Sequence, residues 1–211
     1  MDVNIARIHY PITVLGPGRR VGIWFQGCTI GCQGCMSRDT WDPDAGHALD
    51  VDDVCEIVMA ARSDEGLDGV TISGGEPFQQ PQALHSLCSE LRRRWSDVDI
   101  LAYSGYRLSR LRQMHPEILG LLDALVSEPF IEGRPTEARW RGSSNQEVTL
   151  LSGRADDRYS TVPELPGDRL QVTVDEEGVW VAGIPRRGDL DLMRSALLNR
   201  GLELQDVSWA T

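Results

Sequence analysis

Long apolar runs are missing from this chain. No stretch approaches the roughly 20 apolar residues that a membrane helix needs, and the opening "MDVNIARIHYPITVLG" has neither a basic leading region nor an unbroken apolar one. Neither a membrane span nor a secretory signal is therefore expected. Positive charge is short as well: 21 Lys and Arg against 32 Asp and Glu leave a formal net charge of -11. That balance repels a phosphate backbone, and only short basic runs such as Arg92, Arg93 and Arg94 oppose it, so no nucleic acid partner is expected. Cysteine is scarce outside one place. Of five cysteines, three fall within eight residues, which is unlike a disulfide framework and fits a reducing, cytoplasmic compartment where thiolates stay available for metal. Histidine adds no metal signal, because His9, His47, His85 and His115 show no paired ligand spacing and read as surface or packing residues. Internal repeats and low-complexity segments are absent too.

What remains is an ordinary globular composition, 41% hydrophobic and 25% charged over 211 residues, enough for one main domain with a small appendage. Val21 to Phe25 read as a buried strand that delivers the cysteines in a loop. Asp50 reads as the N-cap of a helix carrying Val51, Val54, Ile57, Val58 and Ala61 at helical spacing, with Gly66 ending it. A strand at Val70 to Ser73 runs into Gly-Gly-Glu-Pro, followed by a helix with Pro81 in its first turn and Leu84, Leu87, Cys88 and Leu91 on one face. A strand ending in "YSGY", a helical stretch interrupted at Pro116 and the strand in "LDALVSEPF" continue the alternation. Strand and helix in alternation predict an α/β fold with a parallel sheet and helices outside it, as an open or partly closed barrel. The core is expected over residues 1–152. Residues 153–211 read as a polar linker, a β-hairpin around a Glu-Gly turn and a C-terminal helix from about Asp189 to Asn199. The hairpin reads as a cover for the sheet, with protein docking as the alternative.

The three clustered thiols, Cys28, Cys32 and Cys35 in "CTIGCQGC", raise the question of a fourth ligand. Zinc completed by Cys55, Cys88 or a histidine is one answer, although Cys55 and Cys88 fall on the apolar stripes of helices, where cysteine acts as a small hydrophobe. The other answer leaves a position open: in a four-iron cluster held by three thiolates, one iron can bind a small molecule directly. Gly27, Gly31 and Gly34 allow the backbone to wrap a compact object. Taken alone, "SGGEP", "YSGY" and "RGSSNQ" are turns, polar loops or helix caps.

Together, these stretches resemble the radical S-adenosylmethionine superfamily, whose signature has the C-x3-C-x2-C spacing of Cys28, Cys32 and Cys35. Within it the chain is most similar to the activating enzymes of glycyl radical proteins, above all those of anaerobic ribonucleotide reductase. "GPGRRVGIWFQGC", "CQGCMSRDTW", "YSGY" and "FIEGRPTEARWRGSSNQ" carry the likeness. The resemblance implies a partial, open parallel β/α barrel, a 4Fe-4S cluster on Cys28, Cys32 and Cys35, and S-adenosyl-L-methionine held by Gly74, Gly75, Glu76, Pro77, Ser104, Tyr106, Ser144 and Asn145. It implies reductive cleavage of that cofactor to a 5'-deoxyadenosyl radical and formation of a glycyl radical on a ribonucleotide reductase-like partner. Flavodoxin or ferredoxin would donate the electron. Where such activases often carry an Asp-Gly pair, this chain has Ser127, Glu128 and Pro129, so no role passes to them. Two other readings stay open: radical chemistry on a small molecule or peptide, as in 7-carboxy-7-deazaguanine synthases, and a metal-binding adaptor without catalysis. Trp24, Trp41 and Trp140 lie near the motifs and read as packing aromatics.

Overall fold

The computed structural model describes residues 1–159, 168–174, 179–186 and 188–204. Four parallel strands form the middle of a seven-stranded sheet: β2 (Arg20–Phe25), β4 (Gly69–Gly74), β5 (Asp99–Tyr103) and β6 (Ala124–Ser127), adjacent in that order. These are the strands of the expected alternation. Antiparallel strands extend both sides: β1 (Asp2–Ile12) on β2, β3 (His47–Asp50) on β1, and β7 (Glu147–Leu150) on β6. β1 buries Val3 and Ile5 at the alternate positions a strand directs to one face.

One face of the sheet is covered by helices. α1 (Val51–Glu65), α2 (Pro81–Arg94), α3 (Leu108–Met114) and α4 (Pro116–Leu119) pack against Val21, Ile23, Phe25, Val70, Ile72 and Ile100. Asp50 caps α1, its carboxylate accepting the Asp52 N–H at 2.8 Å, and Gly66 ends the helix at φ 61. Pro81 stands in the first turn of α2, and Pro116 separates α3 from α4. Cys55 and Cys88 are buried in this core, as their positions on the apolar stripes require. Of the three arginines that end α2, Arg92 does more than answer the helix dipole. It donates to the Leu121 carbonyl at 2.8 Å and pairs with buried Asp123.

The opposite face holds Trp24, Leu101, Tyr103 and Val126, and the chain beyond Gly153 returns to it. Composition changes at Gly153, yet Ala155 and Tyr159, the latter in α5 (Asp156–Tyr159), are buried against Leu101 and Trp140. Tyr159 donates its hydroxyl to Asp99 at 2.9 Å. β8 (Leu170–Val174) and β9 (Val179–Gly183) pair antiparallel as a separate two-stranded sheet. Their Glu-Gly turn lies outside the described residues. The hairpin sets Ala182 and Ile184 against Ile12, Leu15 and Trp24, covering the sheet. α6 (Asp189–Leu198) follows, with Leu190, Met193 and Leu197 half-buried and Gly201 beyond its end.

Candidate functional site

In a parallel sheet the loops after the strands gather at one edge, and there they build the site. After β2 comes the loop of Cys28, Cys32 and Cys35; after β4, Gly75 and Glu76; after β5, Ser104 and Gly105; after β6, Glu128 and Phe130. All of these line one chamber of about 110 Å³, together with Ser73, Gly74, Tyr103 and Gln146. The three thiols are partly exposed and none is in a disulfide. Gly27, Gly31 and Gly34 take φ values of 96, 64 and 74, and so turn the loop in the left-handed region that other residues avoid.

The loops interlock through main chain. Gly75 N–H donates to the Phe25 carbonyl at 2.8 Å and Glu76 N–H to the Gly27 carbonyl at 2.9 Å. A side chain at Gly75 would set a Cβ 2.3 Å from the Gly27 carbonyl oxygen, so only glycine permits this approach. Gln79 then joins three loops. Its amide donates to the Thr29 hydroxyl at 2.7 Å and to the Tyr106 hydroxyl at 3.0 Å, and its oxygen accepts the Thr29 N–H at 3.1 Å.

Glu76 is the buried charge of the site, 1% exposed. One oxygen accepts the Phe78 N–H at 3.1 Å and the Ser104 hydroxyl at 2.9 Å; the other accepts the Gly105 N–H at 2.7 Å. Burial pushes its carboxyl up from 4.5 to about 7, against the pull of those donors and of the Arg110 charge. Burial likewise raises the Cys28 and Cys32 thiols. A cation near the chamber would lower all three again, since a positive charge favours each ionised form.

The other residues singled out from the sequence divide. Gly74, Gly75, Glu76 and Ser104 line the chamber with the thiols. Pro77 is buried at the start of a short 3-10 turn, Pro77–Gln79, and shapes the loop from behind. Tyr106 packs toward the helical face under Arg110, whose guanidinium stands 4.4 Å from the ring centroid, and lines neither this chamber nor the cavity described next. Ser144 is exposed, its N–H donating to the Arg134 carbonyl at 2.7 Å. Asn145 ties its amide to the Pro129 carbonyl at 2.8 Å, behind the chamber wall. Trp41 borders the chamber, whereas Trp140 is core packing against Tyr159. His47 and His85 are exposed and His115 packs on Phe78.

A second cavity of about 230 Å³ adjoins the first and shares Cys35, Ser73, Gly74, Tyr103, Phe130 and Gln146 with it. Arg7, His9 and Trp24 form one side and the hairpin the other. Tyr103 lines both spaces, and its buried hydroxyl has no hydrogen-bond partner among the described residues. Gln79 carries no sequence signal as a site residue, and Tyr103 and Gln146 carry one only as the first residue of "YSGY" and the last of "RGSSNQ". They are common residue types whose roles arise only when four strand ends converge.

A family model described as a 4Fe-4S single cluster domain matches residues 14–149. The chain belongs to this family. Among its relatives, the anaerobic ribonucleoside-triphosphate reductase-activating protein of Enterobacteria phage T4 is 31% identical over 148 residues, 69% of this chain and 93% of the relative. The protein of that name from Vibrio cholerae is 31% identical over 146 residues, 66% and 94% of the two chains. The one from Escherichia coli K12 is 29% identical over 150 residues, 68% and 96%. The family match ends at residue 149, before α5, the hairpin and α6. Among the described residues no helix is long and apolar enough to cross a membrane.

Proposed function

We propose that Cys28, Cys32 and Cys35 hold a 4Fe-4S cluster with one iron left free for S-adenosylmethionine, and that the protein is a radical activase. Its substrate is a glycyl radical enzyme of the anaerobic ribonucleotide reductase kind, and its electron donor is flavodoxin or ferredoxin. The observation that carries this reading is the convergence of three partly exposed thiols, the Gly74–Gly75–Glu76 turn and the Ser104–Gly105 turn on one chamber at the ends of four parallel strands. The names of the relatives support the reductase as partner. On this reading the four parallel strands β2, β4, β5 and β6 would be the partial, open β/α barrel of that superfamily, with the chamber at their carboxyl ends.

The donor set fits the cluster. Three thiols on a loop turned by three left-handed glycines would suit a compact iron-sulfur centre, which Cys28, Cys32 and Cys35 would hold as soft ligands. Cys55 and Cys88, the other two cysteines, are buried in the helical core and not beside these thiols, so neither stands as a fourth ligand. When bound, the cluster and S-adenosylmethionine supply an electron and a carbon-centred radical able to abstract hydrogen from a glycine Cα.

The chain supplies position. Gly74 and Gly75 bring main chain to the chamber wall where a side chain would collide with Phe25 and Gly27. Glu76 holds the Ser104–Gly105 turn against the thiol loop through its three accepted hydrogen bonds. It thereby sets the chamber's width. Trp24, Trp180 and Phe130 give the adjoining cavity apolar wall opposite polar groups such as Arg7 and Asp39.

The test is anaerobic reconstitution with iron and sulfide, followed by reductant and S-adenosylmethionine. The wild type is expected to form 5'-deoxyadenosine and Cys32→Ala to form none. Formation by the variant, or no formation by the wild type, sinks the reading.

A further inference from the structure

The larger cavity has a wall that the family match does not cover. Trp180, Val181, Ala182 and Gly183 of β9 line it in unbroken succession, followed by Ile184 and Pro185, and no residue of β8 does so. A strand seen face on presents every second residue and shares that face with its neighbour. β9 therefore meets the cavity along one edge as well as by the Trp180, Ala182 and Ile184 face packed on His9, Leu15 and Trp24. β8 occupies the other edge, and the two strands form a sheet of their own. Among the described residues, Trp180 to Gly183 make no hydrogen bond outside that ladder. In an antiparallel pair, alternate residues aim N–H and C=O away from the partner strand. Among the described residues, the outward main-chain donors and acceptors of this wall thus have no partner.

The hairpin is braced from two sides. Gln171 accepts the Thr13 N–H at 2.9 Å and donates to the Pro11 carbonyl at 2.7 Å. On the other side Arg169 donates to the carbonyls of Thr136, Ala138 and Arg141 at 3.1, 3.1 and 3.2 Å. Trp180 stacks on His9 with ring centroids 5.4 Å apart. The edge is thus held in place before anything binds, which lowers the ordering cost of binding. Because this cavity shares Cys35, Gly74 and Tyr103 with the thiol chamber, a chain laid along β9 ends beside it.

We propose that β9 binds the protein substrate by strand addition: an extended, glycine-bearing segment pairs its main chain with the free edge of β9, and one glycine is thereby carried to the thiol chamber. This rests on the function proposed above and adds the means of recognition. A free strand edge is a template for another strand. Recognition through main chain suits a glycine, which has no side chain to grip.

The test uses the reconstituted wild-type protein and a short fluorescein-labelled peptide spanning the radical-site glycine of an anaerobic ribonucleotide reductase, with a single N-methyl group walked along its amides. Each methyl removes one donor and leaves every side chain. Methylation at alternate positions is expected to weaken binding roughly tenfold, with the positions between them binding like the parent. A flat scan, or no binding of the parent peptide, overturns the proposal. Electron paramagnetic resonance on the intact reductase separates the two claims. A glycyl radical made by the wild type together with a flat scan overturns strand addition alone. An alternating scan with no radical sustains strand addition and overturns the activase reading.

Discussion

Replacing Glu76 by Gln asks whether burial or hydrogen bonding governs the one buried carboxyl of the site. Its folded-state value stands at about 7 against an ordinary 4.5, chiefly through burial. Below the ordinary value the carboxyl is protonated whether the chain is folded or not. Between the two values the unfolded chain releases a proton that the folded chain keeps, so rising pH favours unfolding until the folded value is passed. Gln has no such proton. The stability of Glu76→Gln minus that of the wild type should therefore increase with pH, by about 2.5 kcal/mol from about pH 5 to about pH 8. The new amide also opposes at least one of the three donors around it, at a cost of about 1–3 kcal/mol. That cost does not depend on pH, so it displaces the difference curve without altering its slope. Urea unfolding of both apo proteins under reducing, anaerobic conditions, followed by tryptophan fluorescence, measures the difference at each pH. Parallel stability curves, or a gap that moves the other way, would refute the reasoning and mean that the Phe78, Ser104 and Gly105 donors outweigh burial.

Further substitutions test how the loops and the sheet are held. Gly75→Ala places a Cβ 2.3 Å from the Gly27 carbonyl oxygen and 2.9 Å from that of Thr40, so the cysteine loop must shift. A loss of about 1–3 kcal/mol is expected, with a lower iron-to-protein ratio after reconstitution. Gly31→Ala meets nothing within 4 Å and only its φ of 64 opposes it; a loss of about 1–2 kcal/mol with unchanged iron is expected, and equal iron loss in both variants would refute the docking argument. Arg20, fully buried, donates to Asp99 at 3.2 Å, to Thr71 at 2.7 Å and to the Val70 carbonyl at 2.7 Å. Arg20→Ala should lose about 3–5 kcal/mol in urea unfolding, and adding Asp99→Ala should recover part of it; strictly additive losses would mean the pair is not coupled.

The middle of the sheet was legible because its four strands are short apolar runs separated, from β4 to β6, by segments of helical spacing, each a local signal. Val21 to Phe25 and Val70 to Ser73 stand inside β2 and β4, and Asp50, Gly66, Pro81 and Pro116 mark the helix boundaries assigned to them. β1, β3 and β7 were not legible. β1 mixes Asn4, Arg7 and His9 with its apolar residues because it is pleated with one side toward the cavity, and β3 and β7 are four residues each. Such strands exist because a neighbouring edge is available, and that availability is tertiary.

The candidate site divides along the same line. Cysteine spacing and paired glycines are read from sequence because their chemistry is rare: few contexts need three thiols in eight residues, and few need main chain as close as Gly75 to Gly27. Gln79, Gln146 and Tyr103 are ordinary residues, and Gln79 acts only because Thr29 and Tyr106, 50 and 27 residues away in the chain, are brought to it. The hairpin is the extreme case. Alternating Leu170, Val172 and Val174 announce a strand pair, but no alternation tells which edge will be free or what it will face. That is decided by Gln171 and Arg169, two polar side chains that tie the hairpin to the end of β1 and to the 136–141 segment. A chamber built from strand ends can therefore be foreseen from its motifs, whereas the placing of the hairpin beside it depends on contacts that span up to 160 residues of chain.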